Sequence, residues 1–341
     1  MTAEHESKRA GLTDVAKLAK VSIGTVSNYI NMPDRVSDRL KTRIQSAIEE
    51  LGYEKPRTKK DDAAVPAIGY LIADIENYLY TSIFEGAQET CENNNMEIIG
   101  VHTMGDKQKQ STLVRRLYQM HVAGLLLSAL DDSQNDLAFA RAAGIPTVMI
   151  DHLNHPLSAD HCTVLKNDYA VGEIATNTLI EAGCTHLAYV AHSAYQPIIN
   201  RQTGIEQTLK KSGIHITLSI IDSDGLNFED GYAVGLQIND MPDNERPDGI
   251  IAGSDRLAAG LITAILDRGK LTIPNDLCVI GTEGDRIATN CPMPITIIES
   301  PGLDMGRQAM TLLLDEIHNP KGHIHTSQLL MPSLERRATT R

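Results

Sequence analysis

Thr25, Ser27, Asn28 and Asn31 stand close together near the start of the chain, and all four carry short side chains that donate and accept hydrogen bonds. Groups of that size and polarity suit phosphate oxygens and the edges of bases. Other spacings amount to less than a site. His152, His155, His161 and Cys162 cluster in sequence, but spacing alone does not build a tetrahedral zinc centre; they are read as a solvated loop, with no metal expected. Asp222-Ser223-Asp224-Gly225 echoes part of a calcium loop whose twelfth position is Ala233 instead of Glu. Gly269-Lys270 echoes a phosphate loop, with Ala264 at its first glycine and Leu271 at its Ser/Thr. No G-x-G-x-x-G follows an expected strand and no G-x-S-x-G elbow is present. No catalytic residue and no cofactor are therefore expected.

The four short polar residues need an element to present them. Leu12 to Asn31 reads as two short helices around a tight corner. Val15, Ala16 and Ala19 give the first an apolar stripe, and Thr13 offers a hydroxyl at its start. Lys20-Val21-Ser22 makes the corner, and Ser22 caps a second helix from Ile23 to Ile30 whose Val26 and Ile30 face inward. Small Ala19 lets the two helices approach closely. A third helix, Ser37 to Leu51, closes a small core through Val36, Leu40, Ile44, Ile48 and Leu51. This is the layout of a helix-turn-helix, whose second helix lies in the DNA major groove. The competing reading is a three-helix bundle with no nucleic-acid role.

The chain of 341 residues allows two or three domains, and 42% hydrophobic residues support a sizeable core. No apolar run is long enough to span a bilayer. The segment MTAEHESKRAG lacks the apolar centre of a signal peptide, so a cytoplasmic protein is expected. Five scattered cysteines, without a C-x-x-C pair, read as reduced thiols. The net charge of −13 argues against nucleic acid until its distribution is considered. Residues 1–60 hold 12 Lys and Arg against 8 Asp and Glu, so the remainder carries −17. A basic head on an acidic body suits a DNA reader whose body is repelled by the duplex.

Residues 54–66, EKPRTKKDDAAVP, are polar, charged and interrupted by prolines, and read as a linker. Beyond it, short apolar runs alternate with amphipathic helices. Strands are expected at 68–73, 97–102, 124–128, 147–150, 186–191, 217–222, 249–252 and 277–281. Helices are expected near 79–93, 107–120, 134–143, 169–182, 198–212, 229–240, 255–268 and 303–318. That alternation predicts an α/β core with two doubly wound parallel sheets. Asp168 and Ser254-Asp255 mark helix starts, and Gly183 and Gly269 mark helix stops. Ligands of open parallel sheets bind beyond the carboxyl ends of the strands, so two facing sheets place a pocket between them.

The segments TDVAKLAKVSIGTVSNYIN and VS-x5-RI-x3-IEELGY resemble the LacI/GalR family of bacterial transcription regulators. The resemblance continues in family order through IGYLIADIEN, VAGLLLSAL, GIPTVMID, Arg201 to Gly204, IIAGSDRLAAGLITAI, VIGTEGD, ITIIESPGLDMGRQA and LLMPSLERR. It implies a helix-turn-helix headpiece over 1–53, a hinge over 54–66, and a core over 67–341 like periplasmic sugar-binding proteins. The chain of such a core crosses three times between an N-subdomain, about 67–163 with 297–325, and a C-subdomain, about 164–296 with 326–341. The resemblance places base readers at Ile23, Gly24 and Asn28, and phosphate contacts at Ser22, Thr25, Ser27, Asn31, Arg35 and Tyr53. Gly24 has no side chain to reach a base, and Asn28 pairs with adenine where Arg would fork onto guanine. Family hinges carry a Leu that wedges into the minor groove. None lies between Tyr53 and Ile68, although Arg57, Lys59 and Lys60 remain to meet phosphates.

The resemblance also implies a small-molecule effector in the cleft. Its candidate contacts are Asn77, Tyr78, Tyr80, Asp151 and His152 from one lobe, and Arg201, Leu226, Asp255 and Glu283 from the other. Leu226 stands where several members have an aromatic ring, which favours a small polyol over a flat or pyranose ligand. The expected function is a dimeric, effector-responsive repressor of a roughly palindromic operator in double-stranded DNA, with no membrane partner. An enzyme of doubly wound fold acting on a sugar or nucleoside, and a cytoplasmic solute-binding protein, are the competing readings.

Overall fold

The computed structural model describes residues 11–31, 36–51, 53, 65–128, 133–151, 160–192 and 196–341, with backbone alone for Ile30 and Asn31. Arg35, Arg57, Lys59, Lys60, His152, the side chain of Asn31 and the linker stretch 54–64 lie outside the described residues. The chain separates into two compact units, Met1–Ala64 and Val65–Arg341.

The first unit holds α1 (Leu12–Ala19), α2 (Ile23–Asn31) and α3 (Asp38–Leu51). Val15, Ala16, Ala19, Val26, Val36, Ile44, Ala47 and Tyr53 form its core, with Leu12, Val21, Tyr29, Leu40, Ile48 and Leu51 packed against it. The start of α1 differs from expectation. Thr13 already lies inside the helix, and Asp14 instead accepts the Gly11 N–H at 2.8 Å, a carboxylate placed where the helix dipole favours it. Lys20 ends α1 in the left-handed region, φ 51°. Arg43 of α3 then donates to the Ala19 carbonyl at 2.5 Å and to Lys20 at 3.4 Å, satisfying acceptors that the helix end leaves open. Ser22 does cap α2, its Oγ accepting the Thr25 N–H at 3.1 Å.

The second unit contains β1 (Ala67–Ile72), α4 (Tyr78–Asn93), β2 (Glu97–His102), α5 (Lys107–Gln119), β3 (Gly124–Ser128), α6 (Gln134–Ala142), β4 (Thr147–Ile150), β5 (Cys162–Lys166), α7 (Asp168–Glu181), β6 (His186–Ala191), α8 (Gln196–Ser212), β7 (Thr217–Asp222), α9 (Phe228–Asp240), β8 (Gly249–Ala252), α10 (Asp255–Arg268), β9 (Cys278–Gly281), α11 (Ile287–Asn290), β10 (Thr296–Glu299), α12 (Gly302–His318), β11 (Ser327–Leu330) and β12 (Ser333–Glu335). Two six-stranded sheets result, in the orders β11-β5-β4-β3-β1-β2 and β12-β10-β9-β8-β6-β7. Among the described residues every strand pair is parallel except β10 with β12. Central strands such as β3, β4, β8 and β9 are buried along their whole length, as helices on both faces require.

Each crossing between the lobes falls a few residues later than the expected boundaries near 163, 296 and 325. β5 stays in the first sheet to Lys166, β10 stays in the second to Glu299, and β11 returns to the first before β12 joins the second. A strand whose backbone is engaged in ladder bonds must finish before the chain can leave its sheet. The crossings therefore follow Lys166, Glu299 and Leu330. Asn167, not Asp168, caps α7, accepting the Ala170 N–H at 3.1 Å. Ser254 caps α10 as its position implied, accepting from Leu257 at 3.0 Å.

One close approach sets the geometry of the cleft. α7 and α8 cross with glycine on both sides. A Cβ on Gly172 would lie 2.1 Å from the Arg201 carbonyl oxygen, and one on Gly204 would lie 2.2 Å from that of Tyr169.

Candidate functional site

On the head, α2 exposes Gly24 and Asn28, and Ile23 at its start is 50% exposed. At 3.6 residues per turn, positions 23, 24, 27, 28 and 31 fall within an arc of about 140°, so the candidate readers share one face. Ser22, exposed, and Thr25, half-buried, pair their hydroxyls at 2.8 Å at the entrance to the helix. Tyr29 donates to Gln45 at 2.6 Å and ties α2 to α3. Tyr53 departs from the expected phosphate contact. It is 7% exposed and packs in the head's core with its hydroxyl buried, so its ring serves packing and its oxygen cannot meet a phosphate in this arrangement.

In the core, strand ends of both lobes converge on a cleft. Asn77 caps α4, accepting the Leu79 N–H at 2.9 Å, and its amide lies 3.4 Å from Glu283 Oε1 across the cleft. Tyr80 is buried behind it. Burial, then the charges of Asp151 and neighbouring acids, push its hydroxyl well above the usual tyrosine range, so it stays a neutral donor. Asp151, the residue after β4, sits in the left-handed region at φ 62°, a strained position for a residue with a side chain. Tyr78 lies at the rim, with the Arg286 guanidinium 5.7 Å from its ring centre.

Arg201, on α8, is 3% exposed. Its Nε donates to Asp168 at 2.8 Å, and its Nη1 donates to the Gly253 carbonyl at 2.9 Å and to Thr282 at 3.0 Å. Burial opposes its charge, but Asp168 beside it outweighs burial and keeps it protonated. Lys166 lies 3.4 Å from the same Asp168 oxygen and 3.4 Å from Ser300 Oγ, linking the first crossing to the second. Glu283 faces this pair of cations. Burial raises its pKa, and Arg201 and Lys166 pull it back.

Asp255 corrects the expectation of ligand contact. It is fully buried, and its carboxylate accepts the backbone N–H groups of Glu283, Gly284 and Asp285 at 3.2, 2.7 and 2.6 Å. It positions the loop that carries Glu283. Burial and the Glu283 charge push it up to about 7, against the three donors that pull it down. Leu226 is half-buried. Its carbonyl accepts from Ser254 at 2.6 Å, and its side chain packs over Gly253.

The structure thus brings together Asn77, Tyr80, Asp151, Arg201 and Glu283, with Leu226 as an apolar wall and Tyr78 at the edge. Sequence reasoning missed Lys166, Asp168, Thr282 and Arg256. Arg256 binds Asp285 at 3.2 Å within its own lobe and reaches Glu76 of the other, through both the backbone carbonyl and the carboxylate. The charged pair at 166 and 168, flanking a helix cap, was the available signal. Nothing in the sequence pointed to Arg256. Alternating donors and acceptors on two hinged lobes can bind a small polyhydroxylated molecule.

Residues 11–55 match the family described as bacterial regulatory proteins, lacI family, and residues 176–340 match a periplasmic binding protein-like domain. The ribose operon repressor of Escherichia coli K12 is 28% identical over 331 residues, covering 96% of this chain and 99% of its own. A lac repressor dimer bound to operator and the anti-inducer ONPF superposes with a TM-score of 0.71 at 21% identity, covering 98% of this chain and 99% of that one. A regulator from Enterococcus faecium with bound ribose gives a TM-score of 0.70 at 22% identity, covering 80% of this chain and 98% of that one. At those identities the two structures speak to the fold.

Proposed function

We propose that the chain is a member of the lacI family of bacterial regulatory proteins, an effector-responsive repressor that binds operator DNA through α2 and a small polyol or pentose-like metabolite through its cleft. The observation that carries this is the conjunction of an exposed polar face on α2 with a cleft where buried Arg201 and Lys166 and half-buried Glu283 and Asn77 face one another across two lobes. Ile23 and Asn28 read bases, while Gly24 holds the third reading position without a side chain to contribute; Ser22, Thr25, Ser27 and Asn31 hold phosphates, assisted by Arg35, Arg57, Lys59 and Lys60. The name of the ribose operon repressor and the ribose in the Enterococcus faecium structure support the ligand class. The half-buried Leu226, in place of a stacking ring, favours a compact ligand. The operator-bound lac repressor dimer supports a two-fold dimer reading a roughly palindromic site. A cytoplasmic location follows from that role, and no catalytic activity is assigned.

Regulation follows from the two lobes. Asn77–Glu283 and Arg256–Glu76 join them at the cleft, so an effector that bonds both sides favours one inter-lobe angle. An equilibrium moves from 1:99 to 99:1 only if the effector prefers one state by about 10⁴-fold. The test compares full-length protein with a form lacking residues 1–60. Genomic fragments enriched by the full chain should be released by the truncation, while calorimetric binding of ribose or a related polyol persists. Failure of the full chain to prefer any genomic fragment over random duplex overturns the proposal.

A further inference from the structure

Away from the cleft, the start of β5 meets the connection between α12 and β11. Cys162 Sγ lies 3.2 Å from His323 Nε2 and 3.9 Å from His325 Nδ1, and all three atoms lie within 4.8 Å of one another. The two imidazoles meet edge to face at 5.0 Å. A tetrahedral zinc ion holds sulfur and nitrogen ligands about 3.5 Å apart, given its ordinary bond lengths, and the two sulfur–nitrogen distances bracket that value. The second nitrogen of His323 faces Asp315 Oδ2 at 2.7 Å, the carboxylate–histidine arrangement that orients a ligating imidazole. Glu316 contributes a carboxylate oxygen that is buried without a hydrogen-bond partner among the described residues, and its charge is felt by both histidines. His161 adjoins the group. Strand register sets Cys162 level with Val148, Leu126 and Tyr70, and it opens β5 four residues before Lys166 at that strand's carboxyl end.

We infer that Cys162, His323 and His325 form a zinc site, with Asp315 orienting His323 and Glu316 or solvent supplying the fourth ligand. The site clamps the 319–326 connection onto β5. Sequence alone grouped Cys162 with His152, His155 and His161; the fold supplies two histidines from more than 160 positions away instead. Asp315, His323 and Cys162 also stand in the order orienter, base, nucleophile. Two features favour a metal over that reading: Cys162 is fully buried, and a second imidazole faces the same sulfur.

The test uses the reduced full-length protein and cobalt(II) as the probe. One equivalent should produce a thiolate-to-cobalt charge-transfer band in the near ultraviolet and intense tetrahedral d–d bands, both displaced by zinc(II). Cys162→Ser should abolish the charge-transfer band, His325→Ala should weaken binding at least tenfold, and Asp315→Asn should weaken it about 10–100-fold. Cys91→Ser should leave the spectrum unchanged. Circular dichroism of each variant identifies any that fail to fold, and the half-exposed His325 in a connecting loop provides the variant least disruptive to the core. The inference is overturned if the wild type binds neither cobalt nor zinc stoichiometrically. It is also overturned if folded His325→Ala binds as the wild type does, or if metal-free protein shows Cys162-dependent ester cleavage.

Discussion

Arg201 bonds one carboxylate, one carbonyl and one hydroxyl from three different segments, a task for a planar fork of donors. Arg201→Lys keeps the charge but cannot make the three bonds together. It should lower effector affinity at least tenfold, read by calorimetry, while the chain stays folded. Asp168→Ala leaves the guanidinium and Lys166 without their shared counter-charge and should cost about 3–5 kcal/mol of core stability in urea unfolding. Asp255 makes a pH-dependent contribution. Its folded pKa near 7 lies above the ordinary carboxylate value of the unfolded chain. The folded form thus holds a proton that the unfolded form has released, and this support for folding is complete below about pH 4 and lost as the pH rises toward 7. Asp255→Asn cannot titrate, so the wild-type advantage over it should shrink across that window in urea midpoints taken at half-unit steps. On the head, Asn28→Ala should lose about 1–3 kcal/mol at a single base position in anisotropy titrations and relax discrimination there, with phosphate contacts intact. The family resemblance pointed to Arg201 and Glu283, but it could not show that Asp255 faces backbone or that Tyr53 faces core, because burial is decided by distant segments.

Among elements, the alternation of apolar runs and amphipathic helices was enough to place the central strands and the long helices within a residue or two. It did not place β5, β10, β11 or β12. These are short, and their patterns are interrupted by Lys166, Glu299 and Ser333, so hydrophobic period says little about them; neighbouring strands hold them in place. The helix crossings were equally hidden. Gly172 and Gly204 look like ordinary small residues inside amphipathic stretches until the α7–α8 contact shows backbone within 2.2 Å of both missing side chains. Gly172→Ala must push α7 from α8, and with them Asp168 from Arg201. It should destabilise the core by about 1–3 kcal/mol and weaken effector binding in parallel, whereas DNA binding by the isolated head should not change.

For the whole molecule, the relation between the lobes rests on few contacts. Among the described residues Arg256 with Glu76 and Arg286 with Glu85 are charged bridges between the lobes, so Arg256→Ala should favour separated lobes. Small-angle scattering should report a larger radius without effector, and effector dissociation should quicken. A head with net charge +4 on a body of −17 also predicts steep salt dependence. Each phosphate contact contributes a slope of about −0.9 in log K against log salt, so losing a phosphate-binding side chain should flatten that plot by about one unit.

The three crossings after Lys166, Glu299 and Leu330 have an evolutionary corollary. Each lobe is assembled from separated stretches of chain, so no single recombination event can transplant one lobe onto another protein. The head is joined by a single stretch and can be exchanged in one event. New operators are thus easily acquired by shuffling, while a new effector must arise by substitution within an inherited receptor.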